Sequence, residues 1–156
     1  MSPLTVVVVP RNRAERCRAT IAALRAQTVP TRIIVVDAGS QSSARDAVAA
    51  MVAERAEDQL VTSPENLGFG PGANVGLRHW LSTGTGEWAG LCPHDALPAP
   101  DCLQRLTAAV APRLAGTLLP VRPPTSAHRI PSRYRQSAGA SVLAAGLIGL
   151  RDVIDP

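Results

Sequence analysis

Three groups of residues have the types and spacing to do chemistry. Asp37 ends the apolar run Ile33-Ile34-Val35-Val36. Its carboxylate there can accept from a base or ribose hydroxyl, or it can simply cap the turn Ala38-Gly39-Ser40. Gly68-Phe69-Gly70-Pro71-Gly72 precedes a helical pattern. Its backbone N–H groups can approach a phosphate, or the run can serve as a plain loop. It is not G-x-G-x-x-G, and it follows the wrong strand for a dinucleotide-binding half. His94-Asp95 follows the apolar stretch Trp88 to Cys92. A carboxylate at that place, with phosphate oxygens and water completing the shell, suits Mg²⁺ or Mn²⁺, while His94 alone reads equally as a surface-loop histidine. His79 and His128 have no recognisable partner in the sequence and read as structural.

Other chemistries are excluded or unsupported. All 16 basic residues are arginine, which rules out a lysine nucleophile, a Schiff base or a P-loop lysine. No G-x-S-x-G elbow occurs, so serine-hydrolase chemistry has no support. Cys17, Cys92 and Cys102 form no C-x-x-C pair, which supports neither a zinc site nor a disulfide framework and fits reduced thiols in the cytoplasm. No basic leader or cleavage site is visible at the N-terminus. The longest uncharged stretch, Gln136 to Leu150, has 15 residues, short of the roughly 17–25 that a membrane span needs. The chain therefore reads as soluble or at most peripheral.

The net charge of +4 is unevenly placed. Residues 1–101 carry nine Arg and ten acids, and residues 102–156 seven Arg and two acids. A basic second part suits nucleic acid, an anionic lipid surface or a phosphorylated ligand, or is a solvated tail. Nucleic-acid binders interleave basic residues with several aromatics; Tyr134 stands alone there, so nucleic acid is not an expected partner.

The elements that must position these groups follow from periodicity. Val6-Val7-Val8-Val9 and Ile33-Ile34-Val35-Val36 are continuous β-branched runs, as in strands buried on both faces of a parallel sheet. Ala14, Cys17, Ile21 and Leu24 recur at helical spacing over 13–27, as do Val48, Met51 and Val52 further on. Leu60-Val61-Thr62 predicts a third strand, a helix ends near Trp80, and Trp88 to Cys92 predicts a fourth strand. Pro98-Ala99-Pro100-Asp101 starts a helix through about Val110, and Ala115 to Val121 is a candidate fifth strand. The order β-α-β-α-β-α-β-α-β predicts an α/β fold: a mostly parallel sheet of about five strands with helices on both faces. One domain is expected over 1–121, with a basic, proline-containing extension over 122–156. In such sheets ligands bind beyond the carboxyl ends of the strands. Pro10 to Arg13, Asp37 to Ser40, the Glu65–Gly72 loop and Pro93 to Asp95 all fall there.

Taken in order, V-V-V-V-P-R-N-R-A-E (6–15), A-Q-T (26–28), I-I-V-V-D-A-G-S (33–40), P-E-N-L-G-F-G-P-G-A-N-V-G-L (64–77) and G-E-W-A-G-L-C-P-H-D-A-L-P-A-P-D-C-L (86–103) resemble family 2 glycosyltransferases of the GT-A fold. The resemblance covers roughly residues 4–110 and implies the half that binds a nucleotide-activated sugar, ending before the acceptor half. It implies UDP-, dTDP- or GDP-linked donors, and a divalent metal that offsets charge on the leaving diphosphate. By position, Pro10, Arg11, Asn12, Arg13, Asp37 and Ala38 would line the base and ribose pocket. Asn66, Gly68, Asn74 and His94 would lie along the sugar and diphosphate, and Asp95 matches the last acid of the metal motif. The implied acceptor is a saccharide or lipid-linked hydroxyl, in cell-envelope polysaccharide synthesis, in the cytoplasm or at the inner face of a membrane. Arg129, Arg133 and Arg135 of the basic extension would serve a peripheral membrane contact.

The sequence departs from the family's pattern at several places. Arg11 stands where a tyrosine commonly packs on the base, and Ala38 where an acid or amide often reads the base edge. The metal motif is Pro93-His94-Asp95, with a single acid, so metal binding is expected to be weak. Inverting members place a catalytic acid in the second half, yet no acidic residue lies between Asp101 and Asp152, and no base is assigned. The alternative expectation is a non-catalytic domain that binds nucleotide sugars or another protein.

Overall fold

The computed structural model describes residues 3–83, 86, 88–114 and 147–149. β1 (Leu4–Val8), α1 (Ala14–Arg25), β2 (Thr31–Ala38), α2 (Ser42–Ala53), β3 (Gln59–Ser63), α3 (Phe69–Thr83), β4 (Trp88–Cys92) and α4 (Cys102–Leu114) alternate along the chain, followed by β5 (Leu147–Gly149). The sheet runs β3-β2-β1-β4-β5. Four strands are parallel, as expected, and β5 pairs antiparallel to β4, with Ala89 opposite Ile148. Residues 115–121, where a fifth strand was anticipated, lie outside the described residues, as does most of the basic extension.

Period-two alternation splits the valine run between two cores. Val6 and Val8 join Ile33 and Val35 beneath α1, α2 and the start of α4, where Cys17, Ile21, Leu24, Val48, Met51 and Leu103 pack. Val7 and Val9 join Ile34 and Val36 on the opposite face against Ala73, Leu77 and Trp80 of α3. Both faces of the central strands are dry, which is why their sequences are apolar throughout.

α3 starts at Phe69, so most of the glycine-rich run forms its first turn, with Gly72 N–H donating to the Gly68 carbonyl at 3.2 Å. Two of its glycines, one turn apart, bring the helix backbone onto the sheet. A Cβ on Gly72 would sit 2.7 Å from Val9 Cγ1, and one on Gly76 would overlap Val7 Cγ1. Val7 is fully buried and β-branched, which restricts how far its side chain can give way. Gly76→Ala is therefore expected to destabilise by about 1–3 kcal/mol despite alanine's better helix propensity. Urea unfolding checks this; a neutral or stabilising result would contradict the close packing.

Candidate functional site

β2 and β3 follow on one side of β1, while β4 lies on the other. The strand order therefore reverses between β1 and β4, and a crevice opens at their carboxyl ends. An open cavity of about 370 Å³ lies there, lined by Val9, Arg11, Ala38, Asn66, Gly68, Phe69, Pro93, His94 and Asp95. The carboxyl ends of four different strands, or the loops that follow them, thus supply its wall.

Backbone chemistry holds these loops together. Asn12 is the single non-glycine residue with positive φ (55°) among the described residues, a conformation asparagine tolerates. Its N–H donates to Ser40 Oγ at 2.9 Å, and its Oδ1 accepts from Gln41 N–H at 2.8 Å. The β1–α1 loop is thereby latched to the β2–α2 turn. Gly39 (φ 71°) lies so close to the β3–α3 loop that a Cβ would be 2.6 Å from the Glu65 carbonyl carbon, so only glycine fits. Asn66 Oδ1 accepts from Gly68 N–H at 3.2 Å, an Asx turn that shapes the lip of the cavity.

Of the residues anticipated from the sequence, the cavity wall brings together Arg11, Ala38, Asn66, Gly68, His94 and Asp95. Pro10 is buried beneath it, its carbonyl accepting from Ala38 N–H at 3.2 Å. Asn12 acts as the latch, Arg13 is exposed at the start of α1, and Asn74 is exposed on α3. Asp37 is fully buried. Its Oδ2 accepts from Ser40 N–H at 3.3 Å, as a turn cap would, while Oδ1 has no hydrogen-bond partner among the described residues. Phe69, half exposed in the wall, was not singled out from the sequence; an aromatic set between two glycines past a strand end was the available signal. His79 is structural, as expected, with Nε2 2.8 Å from Gln59 Oε1; His128 lies outside the described residues.

Asp95 is the single carboxylate in the wall, and Arg16 Nη1 of α1 lies 3.7 Å from its Oδ2. Among the described residues no three His, Cys, Asp or Glu side chains converge to hold a metal ion. Mg²⁺ or Mn²⁺ requires about six oxygens in near-octahedral array, so one carboxylate already facing a guanidinium does not fit a self-sufficient metal site.

The profile of glycosyl transferase family 2 matches residues 5–138. The chain belongs to this family. No curated protein sequence matches it. Among solved structures, this glycosyltransferase domain is similar to a mannosyltransferase from Pyrobaculum calidifontis in complex with GDP-Man and Mn²⁺, at 28% identity and a TM-score of 0.62. The match covers 70% of the present chain and 32% of that one. TarS from S. aureus shares the fold at 18% identity and a TM-score of 0.59, again over 70% of this chain and 32% of its own. The chain thus spans about a third of the length of these two structures, and its fold is that of the N-terminal part of a GT-A glycosyltransferase. No described helix is long and apolar enough to cross a membrane.

Cys17 and Cys92 are buried thiols. Burial, then the Asp37 charge, pushes the Cys17 thiol up from 9.0 to about 12, and burial, then Cys102, pushes Cys92 up to about 11. With both folded values raised, the folded state holds protons that the unfolded chain releases near pH 9. The stability these thiols contribute is intact below pH 9 and is lost as pH rises through about 11 and 12. Urea midpoints measured from pH 8 to 11 should fall in the wild type and flatten in Cys17→Ala/Cys92→Ala; an unchanged slope would contradict this.

Proposed function

We propose that the cavity binds the nucleoside diphosphate sugar of a glycosyl transfer reaction. The observation that carries this reading is the convergence of Arg11, Ala38, Asn66, Gly68 and Asp95 at the reversal of strand order in a family 2 domain. The neighbour solved with GDP-Man, 28% identical, supports a donor of that class. The base and ribose lie over the β1 and β2 ends, with Ala38 against them and the unpartnered Oδ1 of buried Asp37 below as an acceptor for the nucleoside, while Arg11 turns toward the diphosphate. Asn66 and Gly68 lie along the sugar and diphosphate, with His94 and Asp95 across the cavity. An acceptor hydroxyl, from a saccharide or a lipid-linked saccharide, then attacks the anomeric carbon opposite the diphosphate. The sugar–phosphate C–O bond breaks with inversion, the nucleoside diphosphate leaves with the electron pair, and the hydroxyl proton passes to a base. No described residue is assigned as that base. Any divalent ion would meet this chain through Asp95.

Isothermal titration with GDP-mannose, UDP-glucose and dTDP-rhamnose tests the reading. Binding of at least one is expected, and heat from none would overturn it. The lone acid of the wall, paired with Arg16, favours a second reading in which the domain binds the donor without transferring it. Sugar transfer by this chain to any saccharide acceptor would exclude that reading.

A further inference from the structure

The charges around the cavity do not match a site that relies on a divalent ion. A sugar nucleotide brings one negative charge on each phosphorus. Facing it are the exposed guanidinium of Arg11 in the wall and, at the rim, that of Arg16. α3 adds the partial positive charge of its N-terminal turn, which begins at the cavity wall with Phe69 and contains no acidic residue. Asp95 is the single carboxylate among the lining residues, and Arg16 already sits 3.7 Å from it. A divalent ion entering at Asp95 would have to displace that guanidinium and would find no second carboxylate in the wall to complete its shell.

The Arg16–Asp95 pair is also easily exchanged. Its side chains are 63% and 48% exposed, and an ion pair so open to water is weak. A planar guanidinium fork matches phosphate oxygens bidentately, so a diphosphate is a stronger partner for Arg16 than one solvated carboxylate. Arg11 follows β1 and Arg16 lies in the first turn of α1. Arg11 lines the cavity and Arg16 approaches it through Asp95, both from the region next to Asn12, which is latched to the β2–α2 turn.

We propose that Arg11 and Arg16 neutralise the donor diphosphate in place of a metal ion, with Asp95 holding Arg16 at the rim until the donor arrives. This rests on the donor-binding reading and adds to it how the diphosphate is recognised.

The test is titration of the full chain with GDP, UDP and dTDP, in EDTA and in Mn²⁺, for the wild type, Arg11→Ala, Arg16→Ala and Arg18→Ala. Arg18 carries the same charge on α1 but pairs with Glu54 at 3.8 Å, so it controls for net charge. The nucleotide that binds should do so in EDTA within about threefold of its affinity in Mn²⁺. Arg11→Ala and Arg16→Ala should each weaken binding in EDTA by about tenfold, and Arg18→Ala by less than twofold. Arg16→Ala should also gain a Mn²⁺ dependence absent from the wild type, because Asp95 is released. All replaced side chains are exposed, and far-UV circular dichroism verifies folding. Wild-type binding only in Mn²⁺ would overturn the arginine proposal and leave the donor-binding reading standing. Unchanged affinity of Arg16→Ala in EDTA would also overturn it, and no binding in either buffer would overturn both.

Discussion

Replacing Asp58 by alanine is expected to destabilise the protein by about 3–5 kcal/mol, the cost typical of breaking a buried ion pair from one side. The Asp58 side chain is 1% exposed and sits where β3 begins. Pairing of β2 with β3 starts at Ile34 and Gln59, which leaves the Ile33 N–H beyond the end of the ladder. Asp58 Oδ1 takes that N–H at 2.9 Å, while Oδ2 accepts from Arg25 Nε at 3.0 Å. Arg25 in turn reaches Glu54 at 2.6 Å and the Met51 carbonyl at 2.7 Å, so one carboxylate ties α1, α2 and β2 together. Alanine would orphan a buried amide and leave a largely buried guanidinium without its buried carboxylate partner, keeping only half-exposed Glu54 and the Met51 carbonyl. Against a total stability of about 5–15 kcal/mol the loss is severe, equivalent to a fall in Tm of roughly 6–20 °C. Asp58→Asn keeps an acceptor for Ile33 and should lose less than half as much. Urea unfolding decides it; an alanine loss below about 1.5 kcal/mol would show that the network is dispensable.

For Asp37→Asn the expectation is the reverse: binding is weakened and stability is kept. The asparagine oxygen can still accept from Ser40 N–H, so the turn survives. The change removes a fully buried carboxylate whose Oδ1 lacks a partner among the described residues. Such a charge costs folding free energy, so the variant should be as stable as the wild type or more stable by about 1 kcal/mol. If Oδ1 accepts from the nucleoside, losing that charge-assisted hydrogen bond should weaken nucleotide binding by about 10- to 100-fold. Calorimetric titration and urea unfolding of one preparation give both readouts. Destabilisation beyond about 1 kcal/mol with unchanged binding would make Asp37 a turn cap and nothing more. The two carboxylates are thus buried for opposite reasons, Asp58 with every oxygen engaged and Asp37 with one in reserve.

Much of this architecture could be read from local pattern. The runs Val6–Val9 and Ile33–Val36 are apolar at every position, which predicts strands buried on both faces; all eight residues are buried, and only Val9 lies just past the end of its strand. Cys17, Ile21 and Leu24 recur at helical spacing and form the buried stripe of α1. Residues just past the strand ends had to gather at one edge of a parallel sheet, which is why six of the anticipated site residues meet in one cavity. Gly72 shows where such reading fails. Next to Gly68 and Gly70 it looks like backbone offered to a phosphate, yet it is buried and lets α3 lie against Val9. Nothing in the glycine itself separates the two uses, because the difference lies in which strand side chain is behind it.

The alternation of strands and helices, the absence of lysine chemistry and the positions of polar residues at strand ends were all carried by the chain itself. They depend on residues close in sequence, whose periodicity and side-chain types act locally. Folding alone decided that β4 lies beside β1, that β5 runs antiparallel, that Asp58 closes the end of the β2 ladder and that Arg16 faces Asp95. Each of these joins residues far apart in the chain. Their meeting depends on the order in which strands pack and on the distance between backbones, and no local pattern encodes either.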